Sequence, residues 1–290
     1  MKTSDIRGII PPVITPMNND PEQTVNHEAL RQQVERLLAG GVHGMFPLGT
    51  NGEAYALSFK EKEEILATVI DQVKGRVPIY AGTGCITTAE TIRLSKRAEE
   101  LGADALSIIT PSFALASQKE LYDHYTAVAK AVNLPIILYN IPGRCGCGIS
   151  ERNVERLAAH PNIMGIKEAS GNVAYAAKIA HLLSDDFRMY SGEDALTVPL
   201  MSLGASGTIS VWADVQPQLV HDMCRAYLDG DVARARDIQI AGQPLINALF
   251  SEVNPIPVKE ALAQMGMIEA NYRMPLCPMA DDTRSALTDA

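Results

Sequence analysis

The amino-acid sequence predicts an α/β fold, a (β/α)8 TIM barrel with a helical C-terminal extension. Short apolar runs recur along the chain, and the isoleucines at the centres of four of them are spaced 29 residues apart: Ile79, Ile108, Ile137 and Ile166. That spacing is the length expected for one strand-plus-helix unit. Near-continuous apolar strands that alternate with amphipathic helices indicate a parallel sheet covered on its outside. A doubly wound open sheet is the structural alternative.

Eight segments have the composition of strands. In chain order they are GIIPPVITP, VHGMFPLG, VPIYAGTG, ALSIITP, PIILYN, IMGIKEAS, FRMYSG and GTISVW. Eight such units over about 210 residues fit one closed barrel. Beyond Gln216 the strand patterns stop, and helical patterns continue towards the C-terminus. We therefore assign residues 1–215 to a catalytic barrel and 216–290 to a helical extension whose tail ends in a short helix.

The predicted helices carry start and stop signals. Three pairs have the spacing of a capping box: Ser58 with Glu61, Thr87 with Glu90, and Ser117 with Glu120. In a capping box, each side chain binds a backbone N–H that the first helical turn leaves without a partner. Three glycines lie where helices would end: Gly40, Gly102 and Gly204. These signals support the alternation of strands and helices.

Composition and charge exclude several functions. The chain has 34 acidic and 25 basic residues, a formal net charge of −9, and no blocks of lysine or arginine. Binding to nucleic acid or to an anionic membrane is therefore not expected. The N-terminal segment lacks the features of a secretion signal, and no apolar segment approaches the ~18 residues of a membrane span. We expect a cytoplasmic protein whose partners are small molecules and other subunits.

Metal and disulfide chemistry are not indicated. The five cysteines are an odd number, and only Cys145 and Cys147 lie close together, at a spacing unlike common zinc or redox motifs. The six histidines are scattered singly. We expect reduced thiols and no metal site.

Lys167 is the first candidate for catalysis, because it lies inside the apolar strand IMGIKEAS. A buried charge is costly unless it is paired. Desolvation favours the neutral amine, and a neutral amine can attack a carbonyl to form a Schiff base. The alternative is a structural ion pair with Glu168 or Glu193.

Tyr139 and Arg144 belong to the neighbouring segment LYNIPGR. Tyr139 ends its strand, and adjacent strand ends of a barrel can bring side chains within reach for proton transfer. Arg144 lies in the loop after it, where a guanidinium could hold a carboxylate in a bidentate pair. A packed tyrosine and a solvated arginine are the alternatives.

The segment GTNGE, from Gly49 to Glu53, follows the second expected strand. Its glycines let the backbone approach a ligand and turn N–H groups inward. The Thr50 hydroxyl could relay a proton, although a glycine-rich turn without a ligand has the same sequence. Gly192, in the sequence GED, also lies near a strand end.

Taken together, GTNGE, LYNIPGR and IKEAS, in this order and at these spacings, resemble the motifs of the dihydrodipicolinate synthase/N-acetylneuraminate lyase family. The resemblance runs from about residue 6 to residue 265. It implies a (β/α)8 barrel with a helical extension, usually assembled as a homotetramer of dimers. It also implies class I aldolase chemistry that needs no cofactor beyond a covalent pyruvate Schiff base.

The resemblance assigns a role to each candidate residue. Lys167 would form the Schiff base with pyruvate, and the resulting enamine would attack an aldehyde. Tyr139 would shuttle protons, with Thr50 in the relay. The backbone at Thr50 and Asn51 would hold the pyruvate carboxylate. Ile209 matches a residue whose backbone lines the pyruvate pocket. Gly192, from its position near a strand end, is assigned a supporting role in substrate binding.

Arg144 decides between branches of the family. The synthases of this family have an arginine in this loop that gathers the carboxylate of L-aspartate 4-semialdehyde, whereas the sialic acid lyases and many sugar-acid aldolases do not. The sequence therefore favours condensation of pyruvate with L-aspartate 4-semialdehyde, a step of lysine and diaminopimelate biosynthesis. The alternatives are a retro-aldolase or dehydratase of a sialic acid or 2-keto-3-deoxy sugar acid, and a barrel that binds a keto acid without catalysis.

Two positions differ from the usual synthase pattern. Asn51 replaces a threonine, and Phe113 replaces a tyrosine that completes the proton relay across the dimer. Phenylalanine cannot relay a proton, so the aldehyde partner is the open question.

Feedback inhibition by L-lysine is judged from four further positions. Lysine-inhibited synthases have polar or aromatic lysine-binding groups there, and this chain has Phe59, Lys62, Ile86 and Ser112. We expect insensitivity to L-lysine.

Overall fold

The computed structural model of the protein describes residues 6–290. Seven strands form one sheet within this range: β1 Gly8–Ile9, β2 Tyr80–Gly82, β3 Ala105–Ile109, β4 Ile136–Asn140, β5 Ile163–Glu168, β6 Arg188–Ser191 and β7 Gly207–Thr208. Their order in the sheet is β1-β7-β6-β5-β4-β3-β2, and every pairing from β2 to β7 is parallel.

The strand order distinguishes the two candidate architectures. Each strand from β2 to β7 lies next to its neighbour in sequence, and β1 lies next to β7. A doubly wound sheet would instead reverse its order at a switch point. The fold is therefore α/β of the TIM-barrel type with C-terminal helices, as predicted.

Thirteen α-helices lie within residues 6–290. They are α1 His27–Ala39, α2 Phe59–Val73, α3 Thr88–Leu101, α4 Gln118–Ala131, α5 Pro142–Cys145, α6 Glu151–Ala158, α7 Val173–Ile179, α8 Thr197–Ser202, α9 Pro217–Leu228, α10 Val232–Ala241, α11 Gln243–Leu249, α12 Ile256–Gln264 and α13 Asp281–Asp289. The last of these is the short helix expected in the C-terminal tail.

The prediction of eight strands is wrong for the second one, VHGMFPLG. In the described part of the chain this segment is not a strand. Two of its N–H groups donate to the first strand segment, from His43 N to Ile9 O at 2.9 Å and from Phe46 N to Pro11 O at 2.9 Å. Pro11 and Pro12 have no N–H group to continue the ladder, so the apolar run lies beside the first strand segment without regular pairing.

The helix signals are confirmed. Ser58 and Ser117 form complete capping boxes at the starts of α2 and α4. Thr87 accepts a hydrogen bond from the Glu90 N–H at the start of α3. Gly40 and Gly102 cap the C-termini of α1 and α3, and Gly204 follows α8. The local sequence therefore determines where these helices begin and end.

The chain divides into two compact units. The first holds Pro78–Ile209 together with residues 6–8, and it contains β2 to β7 and α3 to α8. The second holds Ile9–Val77 and Ser210–Ala290, and it contains α1, α2 and α9 to α13. The C-terminal helices begin at Pro217, close to the predicted start of the extension, and share their unit with residues 9–77.

Candidate active site

Lys167 lies near the end of β5, in the first unit, with only 4% of its surface exposed. In the sheet register it lies between Tyr139 of β4 and Tyr190 of β6. Residues that are paired across parallel strands project from the same face of the sheet. The Lys167 Nζ atom lies 4.1 Å from the centroid of the Tyr139 ring. The amine and the aromatic ring predicted to work together are therefore in contact.

The neighbouring carboxylate, Glu168, is engaged elsewhere. Successive residues of a strand point to opposite faces, and Glu168 accepts hydrogen bonds from Asn140 Nδ2 at 2.7 Å and from Ser170 N at 2.8 Å. Burial raises the pKa of Glu168 above its usual value, and these hydrogen bonds oppose the shift. The interpretation of Lys167 as a structural ion pair with Glu168 is therefore not supported.

Gly192 leaves room for the lysine side chain. A Cβ atom at this position would lie 2.8 Å from Lys167 Cε and 2.6 Å from Ala169 Cβ. Contacts this close are excluded by van der Waals repulsion, so any larger residue would displace the lysine. The Gly192 N–H also donates to Glu168 O at 2.7 Å. The structure thus brings Gly192 together with Lys167.

Ile209 follows β7 and is buried. Its N–H donates to Ser191 O, at the end of β6, at 2.7 Å. Glu193 follows β6 and is half-buried. Burial raises the pKa of Glu193, and the positive charge of Lys167 opposes that shift. The ends of β5, β6 and β7 therefore place Ile209 and Glu193 in the same region of the first unit as Lys167.

The two tyrosines beside Lys167 differ in their surroundings. The Tyr190 hydroxyl donates to Ile6 O at 3.0 Å, and burial raises its pKa to about 12. Tyr139 is 4% exposed, and its ring faces the lysine amine. A phenol hydroxyl passes protons to a group within hydrogen-bond reach, and the ring contact brings Tyr139 beside the amine. Of this pair, Tyr139 is the better candidate for proton transfer.

Arg144 lies in the short helix α5 and is exposed. Its N–H donates to Ile141 O at 3.0 Å, so the backbone is fixed at this point of the loop. Phe113, in the same unit, is 91% exposed, and its φ of 73° places it in the left-handed region. Both side chains are accessible in the single chain.

The Gly49–Glu53 loop belongs to the second unit. The carbonyl of Gly52 accepts a hydrogen bond from Thr15 Oγ1 at 2.8 Å. Within residues 6–290, the N–H groups of Thr50 and Asn51 make no hydrogen bond to another residue. Backbone N–H groups in such a turn can bind an anion. The loop therefore has the donors that the resemblance assigns to the pyruvate carboxylate.

The side chain of Asn51 is held by the protein itself. It is 2% exposed, donates from Nδ2 to Asp214 Oδ2 at 3.2 Å, and accepts at Oδ1 from Asn254 Nδ2 at 2.5 Å. The amide has separate donor and acceptor atoms, Nδ2 and Oδ1, and so binds both partners at once. A threonine side chain is shorter and has a single hydroxyl. Asn51 thus provides backbone groups to the loop, while its side chain is part of a buried network.

Sequence reasoning missed a second buried lysine. Lys259, in α12, lies 2.6 Å from Glu53 Oε1, and both side chains are 0% exposed. The signal for Lys259 was the same as for Lys167, a lysine in an apolar run, here PIPVKEAL. The buried ion pair that we considered for Lys167 is therefore found at Lys259.

Metal-binding clusters and membrane-spanning helices are both absent from residues 6–290. No cluster of three or more histidine, cysteine, aspartate or glutamate side chains there could hold a metal ion. The five cysteines are free thiols. No helix in the described range is both long and apolar enough to cross a membrane.

Comparison with known proteins assigns the chain to a family. The profile of the dihydrodipicolinate synthetase family matches residues 5–290. The chain belongs to this family. It is 43% identical to the 4-hydroxy-tetrahydrodipicolinate synthase of Geobacter sulfurreducens over 282 residues, which are 97% of this chain and 96% of that one. It is 44% identical to the synthase of the same name from Alcanivorax borkumensis over 284 residues, 98% of this chain and 96% of that one.

Solved structures of the family share the fold. The chloride-inhibited dihydrodipicolinate synthase of Acinetobacter baumannii, complexed with pyruvate, superimposes with a TM-score of 0.95 at 40% identity, covering 98% of this chain and 97% of that one. The dihydrodipicolinate synthase of Aquifex aeolicus gives 0.95 at 37% identity, covering 98% and 96%. The family and the TIM-barrel-type fold implied by the three sequence motifs are both confirmed.

Proposed function

We propose that the protein is a pyruvate-dependent class I lyase that condenses pyruvate with L-aspartate 4-semialdehyde, in the manner of a 4-hydroxy-tetrahydrodipicolinate synthase. The observation that carries this proposal is the buried Lys167 amine against the Tyr139 ring, with Gly192 leaving the space that the lysine occupies. The names of the relatives that match almost the whole chain support the same activity.

The chemistry begins at the Lys167 amine. In its neutral form the amine attacks the keto carbon of pyruvate, and the carbinolamine loses water to give an iminium. Tyr139 supplies a proton to the leaving hydroxyl and takes one from the attacking nitrogen. The iminium withdraws electrons, so the pyruvate methyl group loses a proton and forms an enamine. The enamine carbon then attacks the aldehyde carbon, the new alkoxide takes up a proton, and the iminium on Lys167 is regenerated. The amino group of the semialdehyde adds to the iminium carbon and closes the ring, and the bond to Lys167 breaks to release the neutral amine and the cyclic imine product.

The remaining assignments concern binding. The N–H groups of Thr50 and Asn51 hold the pyruvate carboxylate, and the Thr50 hydroxyl takes part in the proton relay. Gly192 and Ile209 line the pyruvate site. The exposed Arg144 guanidinium binds the carboxylate of the semialdehyde, since its planar fork matches a carboxylate. The covalent pyruvate adduct replaces a cofactor, and no metal takes part.

We also propose a cytoplasmic homotetramer. Phe113 and Leu115, two residues apart in the first unit, support assembly, because they are apolar and 91% and 63% exposed, and neighbouring exposed apolar side chains are typical of interaction surfaces. Five free thiols suit a reducing compartment. Light scattering of the purified protein measures the assembly directly, and a monomeric mass would contradict this part of the proposal.

Turnover with the two substrates tests the proposed function. Pyruvate and L-aspartate semialdehyde are supplied, and product formation is coupled to the next reductase of the lysine pathway. We expect the wild-type protein to turn over at about 1–10³ per second. We expect the Arg144→Gln variant to lose affinity for the semialdehyde and still to react with pyruvate. Absence of turnover, together with cleavage of a sialic acid or 2-keto-3-deoxy sugar acid, would instead favour the retro-aldolase alternative, which the missing hydroxyl at Phe113 permits.

A further inference from the structure

The second unit contains a fully buried ion pair that joins the C-terminal helices to the Gly49–Glu53 loop. Lys259 Nζ lies 2.6 Å from Glu53 Oε1 and 2.6 Å from the carbonyl oxygen of Asn271. The Tyr272 ring lies beside the ammonium, with its centroid 5.3 Å away. Glu53 is the last residue of the loop, so the contact fixes the loop at its C-terminal end.

Stability alone does not explain this ion pair. Burial lowers the pKa of Lys259, and the Glu53 carboxylate opposes the shift by favouring the charged amine. Replacing a buried ion pair with apolar residues of similar volume is often neutral or stabilising. The clearest effect of this pair is on geometry, because the contact fixes the position of Lys259 and Glu53 relative to each other.

The backbone at Glu53 needs such a constraint. Its φ of 51° lies in the left-handed region, which is unfavourable for a residue with a side chain. The residue also begins the short 3₁₀ helix Ala54–Ala56. An ion pair on the side chain holds the backbone in a conformation that it would not otherwise favour.

A second contact holds the middle of the loop. Asn254, two residues before α12, donates from Nδ2 to Asn51 Oδ1 at 2.5 Å, and Asn51 donates in turn to Asp214. The loop is thus held at Asn51 and at Glu53 by residues that follow it by about 200 positions. The N–H groups of Thr50 and Asn51, which make no hydrogen bond within residues 6–290, lie in this restrained segment.

We propose that Lys259 and Asn254 are positioning residues that hold the Gly49–Glu53 loop in its carboxylate-binding conformation. This rests on the proposed function, in which the loop binds the carboxylate of pyruvate. The C-terminal helices then contribute to substrate affinity through the loop, without touching the substrate.

The variant Lys259→Met tests this through the kinetics of pyruvate. The carboxylate is bound in the ground state and in the transition state alike, so loss of its binding raises KM and leaves kcat nearly unchanged. We expect KM for pyruvate to rise about tenfold, the effect of losing one charge-assisted hydrogen bond, while kcat and KM for the semialdehyde change less than about threefold. We expect Asn254→Ala to raise KM for pyruvate as well.

Two further variants separate positioning from folding. Lys259→Met leaves Glu53 buried without its partner and so endangers the fold. The double variant Lys259→Met with Glu53→Met removes both charges and keeps the volume, and we expect it to fold and to show the same rise in KM. Glu260→Gln is the matched control, because Glu260 is the next residue of α12 and pairs with Arg284 at 3.2 Å instead of with the loop. We expect the control to keep the KM of the wild type.

Trapping with pyruvate and borohydride makes the outcomes distinguishable. If the wild-type protein acquires no adduct on Lys167, the proposed function fails and the positioning role fails with it. If the wild type is trapped and the folded double variant keeps the wild-type KM for pyruvate, the positioning role alone is overturned. An increased KM in the double variant, with Glu260→Gln unchanged, supports it.

Discussion

The Lys167 amine lies 4.1 Å from the centre of the Tyr139 ring, across neighbouring parallel strands. An aromatic ring attracts an ammonium through its quadrupole and so favours one position of the lysine side chain. The same ring carries the hydroxyl proposed to move protons. In the proposed mechanism, one contact between two strand ends therefore both orients the nucleophile and brings the proton-transfer residue beside it.

The variant Tyr139→Phe separates these two contributions. It keeps the ring beside Lys167 and removes only the hydroxyl. We expect kcat to fall by about 10²–10⁴, the usual contribution of one general acid–base group, with little change in thermal stability. Steady-state kinetics and a melting curve measure both. A kcat within threefold of the wild type would remove Tyr139 from the proton relay.

The space left by Gly192 is the basis of a second prediction. In Gly192→Ala the new Cβ would lie 2.8 Å from Lys167 Cε, so the lysine side chain must move. We expect turnover to fall by about 10²-fold, as for other displacements of a reacting group. Gly143→Ala is the control, because a Cβ there meets no described atom within 4 Å. Equal activity of the two variants would contradict the packing argument.

The stability of the fold should depend on pH through His124. This side chain is 6% exposed, its Nδ1 lies 2.9 Å from Thr88 Oγ1, and burial lowers its pKa from 6.5 to about 4. Between these two values the unfolded chain binds a proton that the folded chain does not, so stability is complete above pH 6.5 and falls as the pH drops towards 4. The pKa of His43 is also lowered to about 4, and burial is the main cause.

Melting curves across this range test the His124 contribution. We expect the wild-type melting temperature to fall between pH 6.5 and 4, and His124→Gln to show a shallower fall because it lacks the titrating group. The two proteins are compared at pH 8, where the imidazole is neutral in both folded and unfolded chains. Parallel curves for wild type and variant from pH 8 to pH 4 would show that His124 contributes nothing.

Insensitivity to L-lysine remains a prediction from the sequence. Phe59, Lys62, Ile86 and Ser112 depart from the groups expected of a lysine-inhibited synthase, and Ile86 is 57% exposed as an apolar side chain. We expect turnover with saturating pyruvate to be unchanged by millimolar L-lysine. A clear drop in turnover would refute this.

Much of the fold follows from local patterns. The 29-residue spacing and the capping pairs depend on contacts within one βα unit, and the structure places β3, β4 and β5 over Ile108, Ile137 and Ile166. The VHGMFPLG segment has the same apolar composition and forms no regular strand. Its lack of a regular hydrogen-bond ladder depends on Pro11 and Pro12 in another segment, which a local pattern does not include.

The candidate site could be predicted only in part. Lys167 and Lys259 both lie in apolar runs. The sequence around each lysine does not show that Lys259 is paired with a carboxylate and that Lys167 lies beside the ring of Tyr139. The difference lies in contacts with residues distant in sequence, such as Glu53, 206 positions from Lys259. The network around Asn51 likewise depends on Asp214 and Asn254, so the reason for an asparagine at that position appears only in the folded chain.

Reductive trapping shows whether Lys167 forms a covalent adduct with pyruvate. The protein is incubated with pyruvate and borohydride, digested, and the modified peptide is identified by mass spectrometry, with Lys167→Ala and the double variant Lys259→Met with Glu53→Met as controls. We predict one reduced pyruvate adduct on Lys167, present in the double variant and absent from Lys167→Ala. An unmodified Lys167 in the wild-type protein, or an adduct on a different lysine, would contradict the account.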